Sequence, residues 1–408
     1  MTHEQSSTPD SDLPIRVMMV LDSFSFGGAE NLVAELGRHA SASLDISVAS
    51  LQPAGQGSNQ LLDRLTESGL KPTFLGMRRL LDPVGFMRVV RAIRQAPVDV
   101  VHAHLGYAAI VVPIAARLAG KPAVATLHVN PPHRLRGGEW LKERLSIRVP
   151  ARLGRLVLIS QHAREEFAQR HGPARDTWRV IPNGVDTTSY APRPRAQSVD
   201  APVWACVAAM RPDKNHVGLV RAWAAVVAAH PRATLLIVGD GPSREATEAA
   251  IEELGLIANV RMLGRREDVV DILHGVDGVV SASIDEALPT ALIEAAACGL
   301  PVVAADAGGT REIVIDGVTG RLVPISDDEA LTAALLDVID HPERAEEFGR
   351  AGRDLIENRY ALSTWVDNLT DLYAEVIAER GKRRYPRRRC AGVAGMTKRD
   401  GPGRSCPT

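Results

Sequence analysis

Short apolar segments of strand length alternate with segments of helix length along almost the whole chain, and that alternation leaves few folds open. The strands read IRVMMVL (15–21), DISVASL (45–51), VDVVHAH (98–104), PAVATLH (122–128), RLVLIS (155–160) and WRVIP (178–182), with helices such as GAENLVAELGRHA and YAAIVVPIAARLAG between them. Strands that are apolar on both faces, joined by helix-length crossovers, form a parallel sheet covered on both sides. APRPRAQSVDAP (191–202) is Pro-rich, polar and aperiodic, as a linker is. The alternation then restarts with VWACVAAM, ATLLIVGD, NVRMLG, GVVSAS and LPVVAAD. The expected class is α/β, with two doubly wound, Rossmann-like parallel-sheet domains (14–190 and 203–362) facing across a cleft. Ligands of such sheets bind beyond the strand C-termini, so the cleft is the expected site. The helix-spaced apolar residues of LSTWVDNLTDLYAEVIAER predict a last helix (363–380) that packs back on the first domain. A polar N-terminus (1–13) and a basic tail (381–408) show no core pattern and read as disordered.

A chain of 408 residues accommodates both domains. Its four cysteines, Cys206, Cys298, Cys390 and Cys406, have no C-x-x-C or disulfide-like spacing, which points to a reducing, cytoplasmic compartment. No apolar run reaches the ~18 residues of a membrane span, and the acidic start MTHEQSSTPDSD does not read as a secretory signal. Charge is unevenly spread. Residues 1–195 hold 24 Lys+Arg against 17 Asp+Glu, residues 196–379 hold 14 against 31, and the tail 380–408 holds 10 against 1. A basic first half beside an acidic second half suits an anionic surface facing the first domain. HRLRGGEWLKERLSIRVPARLGR (133–155) interleaves Trp140, Leu141, Leu145 and Ile147 with basic residues. That composition fits either an anionic membrane surface or an ordinary solvated helix. Arg78, Arg79, Arg88, Arg91 and Arg94 add charge to the same half. Nucleic acid is not an expected partner, because no recognition helix, zinc finger or aromatic RNA motif is present.

The second half carries the densest chemistry, in SASIDEALPTALIEAAACGLPVVAADAGG. Glu286 lies in a loop, Pro289 opens an Ala/Leu-rich helix, and that helix carries Glu294. Eight helical residues rise roughly 12 Å, about the length of a sugar, a folded diphosphate and a ribose. One carboxylate can then meet sugar hydroxyls and the other ribose hydroxyls, with a helix N-terminus toward the phosphates. In AAMRPDKNH, Arg211 and Lys214 stand three apart in a loop after a strand, a spacing that can hold a diphosphate and stabilise it as a leaving group. Lys214 is the only lysine between 196 and 379 in a chain with 42 arginines and six lysines. Gly27 and Gly28 open a helix after the first strand and allow close approach to the backbone. They do not form G-x-G-x-x-G, and no acidic residue closes the second strand, which argues against a nicotinamide dehydrogenase. His128 ends a strand on the ligand edge. His102 and His104 share one strand face, without a third ligand at metal-like spacing. Gly308 and Gly309 open another helix, whose Glu312 reads as structural. Arg265 and Arg266 lie in a loop that can flank a nucleobase or simply be solvated.

Taken together, GGAE (27–30), VIPNGVD (180–186), MRPDKNH (210–216), LLIVGDGP (235–242) and the run 286–324 resemble the retaining nucleotide-sugar glycosyltransferases of the GT-B fold, in the large family-four group. The resemblance covers roughly 14–380 and rests on the order and spacing of the pieces. It implies transfer of a hexose from a UDP- or GDP-sugar to a glycan or lipid-linked acceptor, in cell-surface or exopolysaccharide synthesis, with no metal or other cofactor. It implies a cytoplasmic enzyme, peripheral at the inner face of the membrane. It also implies that His128, Glu286, Arg211 and Lys214 act in catalysis. Gly27, Gly28, Arg211, Lys214, Leu288, Thr290 and Glu294 would bind the donor. Ala287 stands where the family often has glycine, and Leu288 where an aromatic is common. The alternatives are a GT-B epimerase or hydrolase of nucleotide sugars, and a non-catalytic sugar-nucleotide-binding subunit.

Overall fold

The computed structural model describes residues 13–25, 28–39, 43–56, 59–131, 137–194 and 200–384, without the side chains of 28–31 and 382–384. The expectations placed on 1–12, Gly27, 133–136, 195–199 and 385–408 lie outside the described residues. The first sheet contains β1 (Ile15–Leu21), β2 (Leu44–Ser50), β3 (Pro72–Phe74), β4 (Val100–His104), β5 (Ala123–Leu127), β6 (Arg155–Leu158) and β7 (Trp178–Val180). All pairings are parallel and the order is β3-β2-β1-β4-β5-β6-β7. The second sheet contains β8 (Val203–Val207), β9 (Thr234–Val238), β10 (Val260–Gly264), β11 (Gly278–Ser281), β12 (Val302–Ala305) and β13 (Gly320–Val323). It is also parallel, in the order β10-β9-β8-β11-β12-β13. Strand order therefore reverses once in each sheet, between β1 and β4 and between β8 and β11. A crevice opens at such a reversal, and it is there that doubly wound sheets bind ligands.

The apolar strand runs are explained by burial on both faces. In β1, Val17, Met19 and Leu21 enter one core while Met18 and Val20 enter the other. The second sheet divides its strands in the same way between two further cores. β3 and β13 escape the sequence pattern because they are short edge strands, one beginning at Pro72 and the other at Gly320.

The helix Leu362–Arg384 leaves the second domain and buries Trp365, Val366, Leu369, Leu372, Tyr373 and Val376 against Val17, Met19, Leu21 and Val100. The two chain crossings between the domains run side by side. The Val185 N–H donates to the Tyr360 carbonyl at 2.8 Å, and the Leu362 N–H donates to the Val185 carbonyl at 2.8 Å. Gly184 makes this approach feasible, since a Cβ there would stand 2.8 Å from the Trp365 Cβ and 2.9 Å from the Leu362 Cα.

Candidate active site

The loops after β8 and β11 meet at the second reversal. After β8 the chain turns through a short 3-10 segment, Pro212–Lys214, and Asn215 adopts a left-handed conformation (φ 49°) to cap the helix His216–Ala229. This turn fixes Lys214 so that its Nζ lies 2.7 Å from Glu286 Oε1 and 3.5 Å from Asp213 Oδ2. Arg211 forks onto Asp213 at 3.0 and 2.7 Å, with its side chain largely exposed. The loops are also tied through the backbone, the Ile284 N–H donating to the Asp213 carbonyl at 2.8 Å. Arg211 and Lys214 are thus shared between two carboxylates, Asp213 and Glu286, in a place where an arriving diphosphate can compete for the cations.

Gly308 and Gly309 place the Glu286 loop. The Gly309 N–H donates to the Glu286 carbonyl at 2.8 Å. A Cβ at Gly309 would stand 2.0 Å from the Ala287 carbonyl oxygen, and one at Gly308 (φ 56°) would stand 2.3 Å from that of Glu286. Glu312, at the end of the same 3-10 segment, accepts from the His162 N–H of the first domain at 2.9 Å.

The helix that carries Glu294 spans Thr290–Ala297, so half of the interval from Glu286 is loop and Pro289 is the N-cap rather than the first helical residue. Among the described residues no side chain caps this end, which leaves first-turn N–H groups, with Thr290 beside them, open to an anion. Leu288 is buried in the second-domain core, so its backbone is what it can present to a ligand. Glu294 bonds the Tyr190 hydroxyl and faces Glu35 and Arg64 of the first domain, which pair with each other at 2.9 Å. Desolvation, reinforced by Glu35, pushes the Glu294 carboxyl up to about 7, against the pull of Tyr190 and Arg64.

The first domain supplies the opposing wall. Asp22, directly after β1, accepts from the Ala108 N–H at 2.6 Å and the Tyr107 N–H at 3.1 Å, at the start of the helix Gly106–Ala119 that follows β4. Burial raises its pKa in spite of these donors and of Lys142, whose Nζ sits 3.5 Å over the Tyr107 ring. Leu105 enters this helix at φ 73°, a strained value for a leucine. A pocket of about 230 Å³ opens here, bounded by Asp22, Gln52, Arg78, Arg79, Leu80 and Tyr107 among others. Neither Arg78 nor Arg79 has a carboxylate within ion-pair distance among the described residues.

His128 follows β5 and joins the strand-β4 histidines. His104 Nδ1 lies 3.0 Å from His128 Nε2, and the His102 and His104 rings are 4.2 Å apart. His102 is held between the Tyr373 hydroxyl at 2.6 Å and the Thr126 hydroxyl at 2.7 Å. Burial keeps all three imidazoles neutral, with His128 lowered to about 4, His102 to about 3 and His104 well below the usual value. Asn183 opposes the shift at His128, and among the described residues the enclosed Asn183 Oδ1 and His128 Nδ1 have no hydrogen-bond partner. A third histidine therefore does approach His102 and His104, through hydrogen bonding. Among the described residues no group of three or more His, Cys, Asp or Glu is arranged to hold a metal ion. Across the cleft, Asn130 donates to Asp285 Oδ1 at 2.6 Å, which ties the loop after β5 to the Glu286 loop.

The sequence-selected residues Glu286, Arg211, Lys214, Thr290 and Glu294 gather around one face of the cleft, and Gly28 and His128 stand on the first-domain side. Asp22, Asn130, Tyr190 and Glu35 were not singled out from the sequence. Asp22, Asn130 and Tyr190 are lone polar residues in connections and Glu35 is a single charge on the helix Gly28–Arg38, without a pattern to mark any of them. Two expectations for 133–155 need correction. Ile147 points inward and is 1% exposed. Arg155 is engaged by Glu375 and Glu379 at 2.8 and 2.5 Å, so its charge is spent inside the protein. Arg266 forks onto Asp268 at 2.8 and 2.5 Å, and Arg265 donates to Gln60 of the first domain at 3.3 Å.

Residues 26–189 match the sequence family described as Glycosyltransferase Family 4, and residues 192–355 match Glycosyl transferases group 1. The GDP-mannose-dependent alpha-(1-6)-phosphatidylinositol monomannoside mannosyltransferase of Mycolicibacterium smegmatis is 30% identical over 341 residues, covering 77% of this chain and 85% of that protein. The putative glycosyltransferase EpsF of Bacillus subtilis is 27% identical, covering 85% of this chain and 91% of that protein. The crystal structure of Anabaena HepE in complex with UDP and glucose superposes with a TM-score of 0.75 at 22% identity, over 88% of this chain and all of that one. Two parallel α/β domains with switch points facing one cleft, and matches to both family halves in register with those domains, lead to one conclusion: the chain belongs to the family-four, group 1 glycosyltransferases of the GT-B fold.

Proposed function

We propose that the protein moves a hexose, with retention of anomeric configuration, from a UDP- or GDP-sugar onto a glycan or lipid-linked acceptor in cell-surface or exopolysaccharide synthesis. The observation that carries this reading is the pair of carboxylates on either side of the N-terminus of the helix Thr290–Ala297: Glu286 in the loop before it, held by Lys214, and Glu294 within it, bonded to Tyr190. In this reading Glu294 accepts from the ribose hydroxyls, and Thr290 with the first-turn N–H groups meets the phosphates. Arg211 and Lys214 neutralise charge as the diphosphate departs. Glu286 orients the sugar, and neutral His128, its Nε2 held by His104, lines the wall beside it. Gly27 and Gly28, lacking side chains, let the donor phosphate approach the first domain. The C1–O bond to the β-phosphate breaks, the acceptor oxygen bonds C1 on the same face, and the acceptor proton passes to the departing phosphate oxygen. No metal takes part in this reading, so chelators leave the rate unchanged. Support for the donor class comes from the relatives, one named for GDP-mannose and one bound to UDP and glucose. The 230 Å³ pocket at Asp22 and Arg78 suits the acceptor. The enzyme works against the inner face of the cytoplasmic membrane through the basic segment 133–155. Among the described residues no helix is long and apolar enough to cross a membrane.

The test is a screen of UDP- and GDP-hexoses with lipid-linked and free glycan acceptors, with product anomers assigned by NMR. Release of free sugar or interconversion of the donor without acceptor would instead mark a hydrolase or epimerase. Full activity in Glu286→Ala would remove the assigned site.

A further inference from the structure

The helix Gly138–Leu153 carries two rows on its outer side. Trp140, Arg144, Arg148 and Arg152 follow one another at intervals of four, and Leu141, Leu145, Val149 and Leu153 form the adjacent row. Residues four apart stack on one helix face, so the rows lie side by side. Trp140 and Leu141 are 42% and 51% exposed, unusual for large apolar residues on a helix whose other side, at Ile147 and Ala151, is already in the core. Among the described residues no carboxylate lies within ion-pair distance of Arg144, Arg148, Arg152 or Arg175. The nearby Glu143 is engaged by Arg170 at 3.4 Å and His171 at 2.7 Å. Burial, with the like charges of Arg144, Arg152 and Arg175, lowers the pKa of Arg148.

Beneath this cluster is a pocket of about 240 Å³, with Ile147, Ala151 and Trp178 as its apolar lining and Arg148 and Arg175 at its walls. Trp178 opens β7, so the pocket lies at the N-terminal edge of the first sheet, away from the strand ends that form the cleft. Trp178 is 6% exposed, and among the described residues its indole N–H has no acceptor. Like-charged residues around a concave site, with a buried donor in reserve, select an anion. An apolar row beside them selects one presented at an apolar boundary.

We propose that this pocket receives the phosphate of an anionic lipid headgroup, while the Arg144–Arg152 row and the neighbouring Leu141–Leu153 row rest on the bilayer. The proposal rests on the membrane-facing reading given above and adds to it a specific receptor remote from the catalytic cleft. A phosphate carried by a lipid and a free phosphate share the chemistry, and the apolar row favours the lipid.

The test is flotation of the full chain with vesicles of phosphatidylcholine alone and of equal parts phosphatidylcholine and phosphatidylglycerol. The wild type should float with the anionic vesicles and be released by high salt. Arg148→Gln with Arg175→Gln should lower partitioning about fivefold for each arginine. The same charge change placed elsewhere, Arg91→Gln with Arg117→Gln, should lower it far less. Thermal shift by UDP and GDP should be the same in all variants, which keeps folding and the donor site out of the comparison. Equal losses in the two double variants, with the wild type still floating, would overturn the pocket and leave the membrane reading standing. A wild type that ignores anionic vesicles at low salt would overturn both. Release by millimolar inorganic phosphate at constant ionic strength would make free phosphate the ligand and overturn the lipid assignment.

Discussion

Glu294 shows how a single side chain can couple proton binding, stability and ligand affinity. Its pKa of about 7 leaves it half protonated near neutrality. The folded value lies above the ordinary carboxyl value, so the folded state binds the extra proton. Stability from this group is present at low pH and lost as pH rises from about 4.5 through about 7. Glu294→Gln should therefore stabilise the unliganded enzyme at pH 8, on the order of 1–3 kcal/mol in urea unfolding. The same variant should bind donor at least tenfold more weakly by calorimetry. In the wild type, donor affinity should weaken as pH falls from 8 to 6, because the protonated carboxyl accepts poorly from ribose hydroxyls. A flat profile would place the ribose elsewhere. Lys214 makes the complementary case. Its removal leaves Glu286, 13% exposed, without its cation. Lys214→Ala should lose roughly 1–3 kcal/mol of stability as well as tenfold or more in donor affinity. Lys214→Arg should recover stability better than turnover, since a planar fork does not replace a compact ammonium. Lys214 was legible in the sequence because arginine is used almost everywhere else. Tyr190 and Asp22 were not, because their roles arise only when distant connections meet.

At the scale of elements, the Gly308–Gly309 pair matters less for helix initiation than for clearance. The 3-10 segment passes so close to the Glu286–Ala287 backbone that a methyl group cannot be fitted. Gly309→Ala should shift the Glu286 loop and lower kcat by about 10–100-fold, as small displacements at a reacting centre do. The far-UV circular dichroism should remain native. Unchanged kcat would mean that the loop position is not critical. The strands and helices that set up this contact were readable because burial on both faces writes a plain apolar run. β3 and β13 were not, being three and four residues long at sheet edges. The Glu286–Glu294 spacing was readable as a pair, but its translation into distance was not. The rise was reckoned over eight helical residues, whereas the stretch from Glu286 to Pro289 is loop and the helix begins only at Thr290.

For the whole molecule, the histidine chain and the last helix join the two halves of the problem. His102, His104 and His128 are neutral through burial, and the Tyr373 hydroxyl that holds His102 comes from the far end of the sequence. Their folded pKa values lie below the ordinary histidine value, so stability is fully present above about pH 6.5 and is lost as pH falls toward about 4. Thermal melts between pH 7 and pH 5 should show a steep drop, and His104→Phe should reduce its slope. Trp365→Ala, which empties a buried site between that helix and β1, should cost about 3–5 kcal/mol and destabilise the first domain. The sequence marked this helix through its apolar spacing, while its partner residues on β1 and β4 could be known only from the fold. Because the first domain borrows its final layer from Leu362–Arg384, it is discontinuous in the chain. A ribosome that has already produced β1–β7 has not yet produced the piece that covers them. The domain begun first during synthesis is thus the one completed last, and the second domain can close around its own core while the first still exposes an apolar sheet face.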